Sequence, residues 1–181
     1  GGFVCPVTVA LAEMWKVGQL KPGDRVRFQP WSTAEAEARR QAQDRAVASL
    51  TPPPAAPAIH GADDRWDAVM RRGRTGETDM VYRRGGDDTI LVEFGPPNLD
   101  LTLRFQAHAL MERLQAEALP GLIDLTPGIR SLQVHFDAGK TSPARVLDIL
   151  ANLETDLPAV DEITVPSRTV YLPLSWDDES T

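Results

Sequence analysis

Thr89-Ile90-Leu91-Val92-Glu93-Phe94, closed by Gly95-Pro96-Pro97, decides how the rest of the chain is read. Six residues rich in β-branched and aromatic side chains, shut by a glycine and two prolines that cannot continue a ladder, predict a buried strand. After it, Leu103, Ala107, Leu110, Met111, Leu114 and Ala118 recur at helical spacing. A helix to about Ala118 is therefore predicted, stopped by Pro120-Gly121. Its start stays open, because Leu99, Leu101, Leu103 and Phe105 also alternate as a strand would. Leu122-Ile123-Asp124-Leu125 reads as a short strand and Thr126-Pro127-Gly128 as a turn. Ser131-Leu132-Gln133-Val134-His135-Phe136 is a second strand with Leu132, Val134 and Phe136 on one face. Ser142 at the cap and Pro143 at the first helical position open another helix that turns Val146, Leu147, Leu150 and Leu153 inward. Glu162-Ile163-Thr164-Val165-Pro166 and Thr169-Val170-Tyr171-Leu172-Pro173-Leu174 are expected to supply the closing strand.

The order β-α-β-β-α-β predicts an α+β, ferredoxin-like lobe: one antiparallel sheet with both helices on one face. The other face is left bare, with Ser131, Gln133 and His135 directed to it. A bare face of this kind usually meets another domain.

Composition narrows the partners. Of 181 residues, 42% are hydrophobic, and 26 acidic side chains against 19 basic ones give a formal charge of −7 and a pI near 4.9. Surplus acid does not suit a surface that neutralises phosphates, so neither nucleic acid nor an anionic membrane is an expected partner. The surplus is local: residues 137–181 hold nine acidic and three basic groups. Apolar stretches are broken well before the ~20 residues a membrane span needs, and Gly1-Gly2-Phe3 does not open a secretory signal. One cysteine, Cys5, excludes an internal disulfide framework and makes a reducing, cytoplasmic location the expectation. With His60, His108 and His135 scattered, no structural metal site is expected.

Upstream, residues 1–31 read as short strands and turns: Val7-Thr8-Val9-Ala10-Leu11, the turn Lys21-Pro22-Gly23-Asp24, and the alternating Arg25-Val26-Arg27-Phe28. They are too few for a core, so they are expected to end a β domain whose body lies elsewhere. Ser32 and Glu35 stand at capping-box spacing and open a helix to about Leu50. Its apolar stripe is mostly alanine until Val47 and Leu50, so its packing should be shallow. Thr51-Pro52-Pro53-Pro54-Ala55-Ala56-Pro57 ends it, and 51–61 reads as an extended linker. Residues 62–88 mix seven acidic with six basic groups, with Met80-Val81-Tyr82 as a possible strand. The domains expected are thus 1–31, a helix and linker over 32–79, the lobe over 80–174, and the start of a further domain at 175–181.

No phosphate loop, nucleophile elbow or paired-cysteine site is present. Gly85-Gly86-Asp87-Asp88 reads as a hairpin turn rather than a nucleotide loop. His135 and Asp137, two apart on a strand, could form an acid-base or docking pair, though a polar pair on a solvated or interdomain face is the commoner reading. His108 reads as a helix-flank residue. Cys5, beside Pro6, reads as a small buried side chain rather than a nucleophile. Arg71, Arg72 and Arg74, interleaved with Asp and Glu, read as a solvated mixed-charge surface. Trp15, Trp31, Trp66 and Trp176 lack the spacing of a stacking platform. From the residues alone, no reaction, catalytic residue or substrate-binding residue emerges.

Two stretches carry a family resemblance. Gly1-Gly2-Phe3 through Gln19-Leu20-Lys21-Pro22-Gly23-Asp24-Arg25-Val26-Arg27-Phe28 resembles the C-terminal end of the allophanate-hydrolase-subunit-2-type domain, a cyclophilin-like barrel half also found in the 5-oxoprolinase C subunit. Ile90-Leu91-Val92-Glu93-Phe94-Gly95, Thr126-Pro127-Gly128-Ile129-Arg130-Ser131-Leu132 and Val134-His135-Phe136-Asp137 resemble the N-terminal lobe of the subunit-1-type domain, shared by the 5-oxoprolinase B subunit and the Kip-type kinase inhibitor. A subunit-2-type tail before a subunit-1-type lobe is the order of the urea carboxylase carboxyltransferase region. Val170-Tyr171-Leu172-Pro173-Leu174-Ser175-Trp176-Asp177-Asp178 is similar to that family's lobe boundary. The resemblance implies carboxyl transfer from carboxybiotin to urea, with ATP and Mg used by a carboxylase domain and biotin held on a carrier, both outside these residues. It implies as partners the remaining domains of the same polypeptide or complex, and an internal piece that is inactive alone. A subunit of a 5-oxoprolinase- or allophanate-hydrolase-type complex and a kinase-inhibitor-like binding module are the alternatives.

Overall fold

Alternating buried positions in three consecutive strands generate the core. In the computed structural model, which describes residues 7–52 and 68–174, Thr89–Phe94 (β3) buries Ile90, Val92 and Phe94, and Ser131–Phe136 (β5) buries Leu132, Val134 and Phe136. Thr78–Arg84 (β2) adds Met80 and Tyr82 to the same face. All eight side chains are fully inaccessible to solvent, and burial of each large one contributes on the order of 1.5–3 kcal/mol. Val69–Thr75 (β1) and Leu122–Pro127 (β4) form the edges, giving the fully antiparallel order β1-β2-β3-β5-β4. β3 and β4 therefore run parallel with β5 between them, as in a split β-α-β unit.

Leu101–Ala116 (α3) and Pro143–Thr155 (α4) cover the apolar face through Leu103, Ala107, Leu110 and Leu114, and through Val146, Leu150 and Leu153. Asp100 settles where α3 begins, because its carboxylate accepts the Thr102 N–H at 2.8 Å and caps the helix there. Leu99 and Leu101 stay outside the core, and the inward residue past the helix is Leu119 rather than Ala118. The Ser142 cap and Pro143 start of α4 are as predicted.

The α+β lobe is therefore as expected, but its outer strands differ from the reading in two places. Residues 163–174 form no strand, and Val170, Tyr171, Leu172 and Leu174 are exposed. The free edge of β3 is taken by β2, with register Met80↔Phe94 through Arg84↔Ile90. β2 is itself paired to β1, so the sheet takes in Val69–Thr75, residues read above as linker. No strand forms over 7–31 either: a 3-10 turn at Leu11–Glu13 runs into the short helix Met14–Val17 (α1), and Arg25–Phe28 has no regular structure. An alternating segment becomes a strand only when a neighbour satisfies its backbone groups, and none of the described residues pairs with this one. Thr33–Ser49 (α2) carries the predicted capping box, with Glu35 N–H on Ser32 Oγ at 3.2 Å and Ser32 N–H on the Glu35 carboxylate at 2.7 Å. Cys5, His60, Trp66, Trp176, most of the proposed linker and residues 175–181 lie outside the described residues.

A buried carboxylate holds the β1–β2 hairpin to α4. Glu154, 7% exposed, accepts the Tyr82 hydroxyl at 2.6 Å and the Arg74 N–H at 2.8 Å and is ion-paired to Arg71. Gly73 lies against it so closely that any Cβ would collide with the carboxylate. Burial alone would raise the Glu154 pKa, but Arg71, the Tyr82 hydroxyl and the Arg74 N–H outweigh it and hold the group below its ordinary value. Burial and the bond to Glu154 push the Tyr82 hydroxyl upward.

Glu154→Ala should cost about 3–5 kcal/mol in urea denaturation, since it strands Arg71 and Tyr82, whereas Tyr82→Phe should cost about 1–2 kcal/mol. The folded pKa of Glu154 lies below the unfolded one, so its contribution is complete above the ordinary value of 4.5 and is lost as pH falls through the folded value. Acid titration of stability should therefore show a component that Glu154→Ala removes.

Candidate functional site

Two surfaces of the lobe gather polar groups from distant parts of the chain. The first is the uncovered sheet face. β-strand alternation directs Val81, Arg83, Leu91, Glu93, Ser131, Gln133 and His135 away from the helices, and apart from exposed Gln133 they are half-buried among themselves. Glu93 is its electrostatic centre, with Arg83 Nε at 2.5 Å and Arg130 Nη2 at 2.7 Å. Arg130 also reaches the Gly95 carbonyl at 3.2 Å, tying the β4–β5 turn to the end of β3. Burial would raise the Glu93 pKa, but Arg83 and Arg130 outweigh it and keep the carboxylate below its usual range.

The second surface is a seam at the end of the sheet where β3 starts. Here the N–H of Leu11 donates to Asp87 at 2.8 Å, and Arg40 of α2 donates to the Ala138 carbonyl and to Asp44, each at 2.8 Å. Arg84 is half-buried beside it; burial pushes its pKa below the ordinary value, with Asp87 and Glu37 acting against that. Two open depressions of about 330 and 370 Å³ run beside α2, and Arg40, Asp44, Ala138 and Gly139 line both.

The structure separates some predicted groupings and makes others. His135 faces Asp88 at 3.4 Å, not Asp137. Asp137 instead accepts the Gly139 N–H at 2.9 Å and pairs with Lys140, which together lower its pKa. Asp88 was missed as the His135 partner because only the register Thr89↔His135, set by long-range pairing, brings the two together. Gly85–Asp88 is a hairpin turn, with Gly86 at φ +110° and the Gly85 N–H on the Thr89 carbonyl. His108 sits on the flank of α3, 3.3 Å from Glu112. Arg74 meets Glu77 and Asp79 on a solvated edge as read, whereas Arg71 turns to buried Glu154. Trp15 is exposed, and Trp31 lies under Arg39 with 4.0 Å to the ring centroid, so the two form no shared platform.

Among the described residues, no three His, Cys, Asp or Glu side chains are grouped to hold a metal ion. Biotin fares no better. Its bicyclic ring needs an enclosing cleft with free polar groups, while both depressions are open and Arg40 is already committed to Asp44 and Ala138. These residues do not fit the cofactor, and the surfaces they form are suited to contact between chain segments. No helix of the described residues is long and apolar enough to cross a membrane.

Glu93→Gln should weaken the Arg83 and Arg130 contacts and cost about 1–2 kcal/mol, less than loss of Glu154. Chemical denaturation of the two variants side by side reads this order.

Comparison with known proteins is consistent with the order of segments along the chain. Residues 80–181 match the carboxyltransferase domain, subdomain C and D, and residues 1–30 match the carboxyltransferase domain, subdomain A and B. The chain is 28% identical over 186 residues to the urea amidolyase of Saccharomyces cerevisiae and 30% identical over 189 residues to that of Lachancea kluyveri, in each case covering 100% of this chain and 10% of the relative. It thus spans about a tenth of the length of these relatives. The crystal structure of Kluyveromyces lactis urea carboxylase superposes with a TM-score of 0.68 at 26% identity, covering 83% of this chain and 14% of that one. Over more than half of its length this chain belongs to the carboxyltransferase domain family, as subdomain C and D preceded by a match to subdomain A and B.

Proposed function

We propose that this chain is part of the carboxyltransferase region of a biotin- and ATP-dependent urea carboxylase, working in the cytoplasm within a larger polypeptide. Carboxybiotin, made elsewhere with ATP and Mg, would give its carboxyl group to a urea nitrogen, forming allophanate. The observation that carries the reading is order: a match to subdomain A and B followed on one chain by subdomain C and D, with urea amidolyases matching along the whole of this chain and about a tenth of their own length. This order supports urea carboxylase over a subunit of a 5-oxoprolinase- or allophanate-hydrolase-type complex.

In this reading the lobe contributes architecture. Carboxyl transfer to a weak nucleophile needs reactants held in register and donors for developing charge. The lobe supplies an antiparallel sheet with one face not covered by its helices, and the Glu93 ion pairs hold that face together. The segment to residue 31 belongs with the upstream subdomain, and residues 175–181 begin the next.

The test is urea-dependent ADP release and allophanate formation by the biotinylated full-length polypeptide and by the 181-residue chain alone. The full-length protein should turn over urea and the isolated chain should not. Turnover by the isolated chain, or bicarbonate fixation by the full-length protein onto an acceptor other than urea, would contradict the proposal.

A further inference from the structure

α2 differs from the other long helices in what holds it. α3 and α4 bury leucines and valines in the core, whereas α2 buries only Ala36 and Ala46 and leaves Val47 exposed. Two buried methyl groups remove little apolar surface from water, so α2 has little hydrophobic hold. It packs against the Leu11–Glu13 turn. Among the described residues, the hydrogen bonds that reach the lobe from this segment include Arg40 to the Ala138 carbonyl, 98 residues away, and the Leu11 N–H to Asp87. Glu37 adds an attraction to Arg84. Open depressions lie beside the helix, and Arg40 lines both. The Arg40 side chain is only 13% exposed, so its guanidinium is held in place there.

We propose that α2 and the Leu11–Val17 turns form an arm latched to the lobe by Arg40 and Asp87, which opens as a unit while the sheet stays folded. Local opening costs less than global unfolding where few apolar contacts are involved. Opening would let whatever is joined to residue 7 change its angle to the lobe without any strand breaking. This goes beyond the carboxylase reading and does not depend on it.

The experiment uses the 181-residue chain and needs no substrate. Amide exchange in 33–49 should be faster than in 89–136. Arg40→Ala should speed it at least about tenfold, the scale of one lost charged hydrogen bond, with 89–136 unchanged. Asp87→Ala should speed it by a smaller factor. Spin labels at Ala48→Cys and Asn152→Cys, in a Cys5→Ser background, should give a distance distribution that broadens with Arg40→Ala. Exchange in 33–49 as slow as in the sheet, no response to Arg40→Ala, or an equal rise in 89–136 would each overturn the proposal, the last because Arg40 would then support the whole fold.

Discussion

The Glu154 carboxylate, buried between a helix and a hairpin, determines the shape of this lobe. An ion this far from water is costly unless its lone pairs are filled, and here a guanidinium, a phenol and a backbone N–H fill them. The arrangement works only if β1 passes directly under α4, which Gly73 permits by having no side chain. Once the β1–β2 hairpin is fixed there, β2 satisfies the free edge of β3. The segment after α4 then has no place in the sheet, and its Tyr171 and Leu172 stay exposed.

The two faces of the sheet differ in what they carry. The helix-covered face holds the core and the Glu154 network. The other face presents Glu93 between two arginines and half-buried Val81 and Leu91. The chain spans a small part of the proteins it matches.

Much of this was legible in the residues. Ile90, Val92 and Phe94, and Leu132, Val134 and Phe136, announce their strands by alternation; Ser32 with Glu35, and Ser142 with Pro143, announce their helices by capping chemistry. What could not be read depends on partners far along the chain. Val69–Thr75 carries three arginines and a glycine and looks like solvated linker until Glu154, 83 residues from Arg71, gives one arginine a buried role. Thr169–Leu172 has better strand composition than β1, yet composition does not say which segment reaches the edge of β3. The pairing of His135 with Asp88 and the reach of Arg40 to Ala138 follow from register and packing in the same way. The surface role of Glu93 was missed because alternation shows where a strand residue points, not which charges meet there.

Residue-resolved amide exchange across the sheet reads which segment closes it. Thr78–Arg84 should be protected to the same degree as Thr89–Phe94, and 169–172 should exchange at rates close to those of an unprotected chain. Protection of 169–172 matching that of Thr89–Phe94, together with fast exchange in Thr78–Arg84, would show that the C-terminal segment and not the hairpin closes the sheet, and would contradict it.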